Sequence, residues 1–450
     1  MIDVARGIFG IALVLGLAWA MSSHKRALPW RIVLWGIGLQ LILAGLVLGT
    51  GVGQNAMAAV ASGVQRFVQV NTFGAEMLFN DLADSTRTQR DLPEVPGSGF
   101  LFAFAATGLL VIIFFSALMS LLYHLGVMQV LVWLIARVMM VTMGVSGAEA
   151  MAMAANMFVG QTEAPLVVKP YLPDMTKSEL NAMMTGGFAT VAGSVLVVYM
   201  SFFSETLGAL GTTIGPHLLT ASVLSAPAAF VIAKIVLPET QTPRTAGAIP
   251  LKIERTADNL VEAAANGTTD GLKLYLNVVA MLLAFTALVK LVDWPLGAIG
   301  AAWFDLPAEG NGALSLAYLL GYLLAPLAWT IGVNGWTDCR LVGGLIGLKL
   351  TTNEFVAFGE LVSAASPPTP EQIAANPQLA DAPVLSERGA QLVAYALCGF
   401  ANFASVGIQI GGITPLAPER KTELSRLAVR AMLGGALASA CTAAVAGMFL

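Results

Sequence analysis

Apolar residues in this chain come in runs near 20 residues divided by short polar stretches, and about 20 helical residues are what it takes to cross roughly 30 Å of hydrocarbon. The runs predict membrane helices over residues 5–22, 31–53, 99–123, 178–205, 215–237, 271–292, 388–412 and 422–449. Lysine and arginine orient them. Lys25, Arg26 and Arg31 follow the first span, Arg244, Lys252 and Arg255 separate the fifth from the sixth, and Arg420, Lys421 and Arg426 lead into the last. All three loops fall on one side, which the positive-inside rule makes cytoplasmic, with both termini outside. The first run is read as a retained helix, because its basic residues follow the apolar stretch where a secretory signal would have them precede it.

Two stretches break the pattern. Gly144–Pro173 and Gly332–Leu361 are apolar yet carry Asn, Gln, Thr, Glu, Lys and Arg, and counting just one of them as a crossing would spoil the charge asymmetry. Each is read as a re-entrant hairpin, which membranes tolerate only where protein or a wet cavity satisfies the irregular backbone, so both should line a path. Polar segments Asn55–Gly97 and Ser366–Ser386 are read as outer loops, the first with room for short surface helix and the second proline-rich.

A repeat joins these elements. Gly186-Gly187-Phe188-Ala189-Thr190 reads like Cys398-Gly399-Phe400-Ala401-Asn402, and a hairpin precedes each, with Gln161-Thr162-Glu163 at one tip and Thr352-Asn353-Glu354 at the other. Each half runs span, hairpin, span, span, and an odd number of crossings inverts the second copy. Inverted repeats with broken helices point to a secondary transporter whose substrate sits near the midplane. The expected fold is therefore an all-α polytopic membrane protein of about eight transmembrane helices and two re-entrant hairpins. Residues 1–98 would hold two spans and an outer loop, 99–237 the first repeat, 238–270 a cytoplasmic linker with a separate polar helix at Ala257–Asn266, and 271–450 the second repeat.

Composition sharpens this. The 450 residues are 57% hydrophobic and 11% charged, against roughly 25% charged in soluble domains. A net charge of −4 leaves no basic face for nucleic acid. Cys339, Cys398 and Cys441 lie in or beside apolar runs, which argues against a disulfide framework or metal cluster. His24, His124 and His217 lie near span ends, and the Met139–Met153 stretch reads as adaptable packing or a surface helix leading into the first hairpin.

The chemistry sits at the hairpin tips. An intramembrane carboxylate costs at least about 2.5–3.5 kcal/mol unless paired or wet, which makes Glu163 and Glu354 functional candidates; the structural alternative pairs them with Lys169 or Lys349. Gln161, Thr162, Thr190, Asn353, Asn402 and Ser405 supply groups that both donate and accept, suiting an uncharged polar ligand. A carboxylate can accept from two adjacent hydroxyls of a sugar, and an amide can meet the mixed edge of a base. An amino-acid or sugar carrier could be argued from the same groups. An intramembrane enzyme using the two glutamates as acid and base would lack a nucleophile or metal set beside them. A passive channel is a further alternative.

The runs Ile112–Ser120, Phe158–Leu166, Asn353–Ala357 and Cys398–Phe403 resemble hallmarks of the concentrative nucleoside transporter family, in the family's order. The likeness extends from about Phe102 to Gly412. It implies a nucleoside importer of elevator type coupled to sodium, working as a homotrimer in a bacterial inner membrane, with no organic cofactor. Gln161, Thr162 and Glu163, with Val195 beside them, would meet the nucleobase side, and Glu354, Asn402 and Ser405 the ribose, with Phe400 nearby. Sodium would be held by the Asn156 side chain and by Val159, Thr190 and Val191 largely through backbone carbonyls, Thr190 standing where the family often has Ser. A proton-coupled nucleoside or nucleobase carrier is the alternative.

Overall fold

The computed structural model describes residues 2–79, 107–207, 209–247, 257–307, 313–367, 373–374 and 383–450. Every regular element among them is helical. In chain order these are α1 (Ile2–Ala20), α2 (Trp30–Val47), α3 (Gly51–Phe79), α4 (Thr107–His124), α5 (Val127–Met143), α6 (Gly147–Asn156), α7 (Ala164–Val167), a 3-10 turn (Lys169–Asp174), α8 (Lys177–Ala189), α9 (Gly193–Thr206) and α10 (Ala209–Val236). The second half follows as α11 (Leu260–Trp303), α12 (Leu316–Thr330), α13 (Trp336–Thr351), α14 (Glu354–Ala365), α15 (Glu387–Leu397), α16 (Phe403–Ile413) and α17 (Lys421–Ala446).

Six helices among the described residues are long and apolar enough to cross a membrane. The predicted span 178–205 is broken between α8 and α9, and span 388–412 is likewise split into α15 and α16. Three differences from the sequence reading have local causes. The polar helix expected at Ala257–Asn266 is continuous with the sixth span, forming the 44-residue α11 capped by the Asn259 side chain on the Glu262 amide. No proline stands at the join, and the two glycines there, Gly267 and Gly271, lie against α4, so the helix continues through it. The loop expected over Asn55–Gly97 begins as the 29-residue α3; residues 80–97 lie outside the described residues, as do 99–106 of the third span, 248–256 of the linker and most of the proline-rich loop. The third difference is α12, an apolar helix lying between α11 and the second hairpin where no element was expected.

Both hairpins begin and end on one face. Ser146, which caps α6, donates through Oγ to Glu179, at the start of α8 just past the hairpin. In the second, Ser386 donates to Asp338 at the start of α13, and the neighbouring Leu385 amide donates to the Ala364 carbonyl at the end of α14 (2.8 Å). The two hairpins open on opposite faces. Arg420, at the N-terminus of α17, donates to the Pro173 carbonyl at the base of the first (2.7 Å). Arg388 donates to Gly447 at the other end of α17 and to Gly332 at the base of the second (both 3.1 Å). A helix of 26 residues separates the two bases by roughly 39 Å.

The two broken spans cross at their breaks. Gly399 takes φ +121°, and a Cβ there would stand 2.7 Å from the Phe188 carbonyl oxygen, so a side chain is excluded by both conformation and space. Burial divides the molecule: 94% of the apolar window of α8–α9 and 89% of that of α10 are buried, against 11% for α11. The crossing is thus the core, while α11 packs on α4 by one close seam at Gly267 and Gly271 and leaves Leu276, Leu283, Leu291 and Trp294 exposed.

Candidate functional site

The breaks and the hairpin tips surround a cavity of about 920 Å³. Gln161, Thr162, Glu163, Val195, Glu354, Phe400, Asn402 and Ser405, the whole set predicted to hold substrate, line it, together with Tyr199 and Asn353. From there it runs to His124, Lys169, Asp270 and Lys273.

Glu354 is the first residue of α14 and is buried. Its position at a helix N-terminus favours a negative charge. Both carboxylate oxygens are occupied by donors from other elements: Tyr199 Oη on α9 donates to Oε1 at 3.0 Å and Asn402 Nδ2 donates to Oε2 at 2.8 Å. Asn402 does a second job. Its Oδ1 accepts from the Ser405 amide (2.8 Å), capping α16, as Asn353 Oδ1 caps α14 through the Val356 amide (2.8 Å). The second hairpin tip and the second break therefore each end in an asparagine cap, which is why a helix restarts there, whereas the first break ends at Ala192 without a side-chain cap.

The first tip is arranged differently. Glu163 is exposed to the cavity, with the Gly160 carbonyl accepting from its amide. Gln161 is buried, and its Oε1 has no hydrogen-bond partner among the described residues. Such an oxygen beside a cavity is an acceptor available to a ligand. Neither glutamate forms an ion pair with Lys169 or Lys349 among the described residues: Lys169 is exposed, and Lys349 Nζ donates to the Ala396 carbonyl (3.0 Å).

The predicted ion ligands gather where the first tip meets the first break. The Phe158 carbonyl accepts from the Gly193 amide at 2.9 Å, holding the tip against the start of α9. Asn156 ends α6, fully buried; its Nδ2 donates to the Met183 carbonyl (3.4 Å), and its Oδ1 has no partner among the described residues. Val191 lies between the two half-helices, while the Thr190 hydroxyl donates to the Gly186 carbonyl (2.9 Å). An orphaned buried amide oxygen, with helix breaks releasing carbonyls from their ladders, suits a hard monovalent cation.

Tyr199 escaped the sequence reading. Its neighbours in sequence are apolar, and nothing in the run Val195–Phe203 marks it as a contact to a residue 155 positions away.

Comparison with known proteins agrees with this architecture. The pattern described as "Na+ dependent nucleoside transporter C-terminus" matches residues 217–447, its N-terminal counterpart matches 9–82, and a "Nucleoside recognition" pattern matches 106–206. The chain belongs to the concentrative nucleoside transporter family. A rat relative, solute carrier family 28 member 3, is 40% identical over 98% of this chain, which spans only 58% of the relative's length. An uncharacterized transporter of Haemophilus influenzae is 37% identical over 100% of this chain and 98% of its own. Among solved structures, CNTnw in an inward-facing substrate-bound state is 35% identical with a TM-score of 0.85, covering 99% of this chain and 98% of that one. A substituted CNTnw in an outward-facing state gives 0.86 at 35% identity, covering 100% and 98%. These relatives are named as transporters, and the family's all-helical fold is the one predicted from sequence.

Proposed function

We propose that this chain imports nucleosides across a bacterial inner membrane, driven by the sodium gradient, with both termini outside. The observation that carries the reading is the joint cavity: amide and hydroxyl groups contributed by tips and breaks of both inverted halves, with two carboxylates, Glu163 and the tightly held Glu354, and one free amide oxygen, Gln161 Oε1. A ribose diol would engage Glu354, Asn402 and Ser405 beside Phe400, and the base would meet Gln161, Thr162 and Glu163 beside Val195. The relatives named sodium/nucleoside cotransporters support the substrate class and the ion.

Sodium would complete the first tip through Asn156 Oδ1 and the carbonyls of Val159, Thr190 and Val191. Binding there would fix the start of α9, which the Phe158–Gly193 hydrogen bond ties to the tip. Tyr199 lies less than two turns along that helix, so the ion would also fix the donor on which Glu354 depends. A ligand that favours one arrangement shifts the population toward it, which is the coupling. The cavity runs to Lys169 and Lys273; with the basic loops cytoplasmic, this arrangement would open inward. The hairpin-bearing core would slide against α4 and α11, and the exposed apolar face of α11 suits lipid or two further copies in a trimer.

The test is uptake of radiolabelled uridine into proteoliposomes under a sodium gradient, against choline, for the unsubstituted chain and Asn156→Ala. Accumulation that needs sodium and is lost in Asn156→Ala is the expected outcome. Uptake indifferent to sodium but driven by a pH gradient would replace sodium with protons, and absence of nucleoside uptake would refute the reading.

A further inference from the structure

Lys349 is a buried cation with no carboxylate in contact with it among the described residues. Its residue is 1% exposed, and no carboxylate among the described residues lies within 4.0 Å of Nζ. The ammonium instead donates to two neutral oxygens, the Ala396 carbonyl at 3.0 Å and Ser439 Oγ at 3.4 Å. Ser439 Oγ in turn donates to the Cys398 carbonyl at 2.7 Å. A buried ammonium without a contacting carboxylate is costly, and here it is accommodated as a metal cation would be, by carbonyl and hydroxyl oxygens.

The place matters as much as the ligands. Ala396 lies in the last turn of α15 and Cys398 is the first residue of the break. That is the carboxyl end of a half-helix, where the dipole and the freed carbonyls favour positive charge. The inverted repeat gives the counterpart: Asn156, the last residue of α6, reaches the Met183 carbonyl on α8 with an oxygen left over, and Lys349, in the last turn of α13, reaches the corresponding half-helix in the other repeat. The first repeat presents an orphaned amide oxygen; the second presents a carbonyl already bound by an ammonium.

We propose that the Lys349 ammonium is a tethered cation occupying, in the second repeat, the position equivalent to the ion site at Asn156, so that this half carries its own cation and binds no exchangeable ion. The inference rests on the sodium reading of the first repeat for its counterpart, and on the geometry around Lys349 for itself. Neutralising Lys349 while leaving an oxygen in its place opens a second cation site.

Thermal unfolding of the purified full chain in NaCl and in choline chloride at equal ionic strength tests this, since an ion that binds only the native state raises Tm. Four forms are compared: the unsubstituted chain, Asn156→Ala, Lys349→Asn, and Asn156→Ala with Lys349→Asn. Expected is a sodium-specific rise of a few degrees in the unsubstituted chain that Asn156→Ala loses and the double variant regains. A cooperative melt of Lys349→Asn, with a sodium response equal to that of the unsubstituted chain and no response in the double variant, overturns the proposal. Lack of sodium response in the unsubstituted chain would sink the first-repeat site alone, and a response gained in Lys349→Asn would still support the tethered cation. Should Lys349→Asn unfold on extraction, rescue by sodium and not by choline supports the proposal, and failure of both, with Lys349→Arg still folded, overturns it.

Discussion

Asn402 is the residue at which two roles can be separated by exchanging one atom. Its Oδ1 caps α16 through the Ser405 amide and its Nδ2 donates to Glu354, both at 2.8 Å. Asn402→Asp keeps the cap, since aspartate is as good an N-cap as asparagine, and turns the donor into a second buried carboxylate facing the first. Two unit charges about 4 Å apart repel by roughly 4 kcal/mol at an effective dielectric of about 20. At about 1.4 kcal/mol per decade that predicts a loss of uridine uptake on the order of a thousandfold at neutral pH. Asn402→Ser also keeps a cap but only removes the donor, which is worth about 1.5–3 kcal/mol to a charged acceptor, or about 10- to 100-fold.

The assay is initial-rate uptake into proteoliposomes across a pH series, with Tm measured on the same preparations. Acid supplies one proton for two facing carboxylates to share, which restores a hydrogen bond between them. Asn402→Asp should therefore recover uptake as pH falls, while Asn402→Ser should show the pH profile of the unsubstituted chain. Both should melt within a few degrees of it, because the cap survives. Uptake by Asn402→Asp within about threefold of the unsubstituted chain at neutral pH would refute the assignment of Glu354 and Asn402 as a hydrogen-bonded pair at the substrate site.

Tyr199→Phe removes the other donor to Glu354 while leaving the ring against Phe358 (centroids 4.5 Å apart); uridine KM should rise about 10- to 100-fold with Tm little changed. Gly399→Ala puts a Cβ 2.7 Å from the Phe188 carbonyl oxygen at φ +121°, so the crossing of the breaks should be forced apart and purified yield and Tm should both fall. Lys234→Met leaves the buried Glu149 without the ammonium now 2.7 Å away; the expected loss is about 3–5 kcal/mol of stability, read as Tm, and Glu149→Gln in the same chain should restore part of it.

Much of the fold was legible because membrane helices advertise themselves by length and apolarity, and the hairpins by polar residues where a simple span forbids them. The elements that were missed lack those signals. Residues 316–330 form an apolar helix too short to stand out as a crossing. The polar stretch Ala257–Asn266 reads as separate from the apolar run after Gly271, yet α11 passes through both, since no proline stands between them and the glycines at the junction, Gly267 and Gly271, seat the helix against α4.

The site was legible to the extent that its groups are costly at membrane depth. Glu163, Glu354, Gln161 and Asn402 stand out in apolar runs, and the cavity brings all four together. Composition could not say which of them face one another. Glu354 is held by Asn402 and not by Lys349, whose ammonium reaches the Ala396 carbonyl, and Gly399, three residues before Asn402, has no Cβ to keep the second break off the first. Tyr199 is the same lesson in reverse: a phenol among apolar residues is ordinarily packing, and it becomes a donor to the Glu354 carboxylate only because the fold brings α9 to the start of α14. The polar residues announce that a site exists, and the glycines and half-helix ends decide which of them share it.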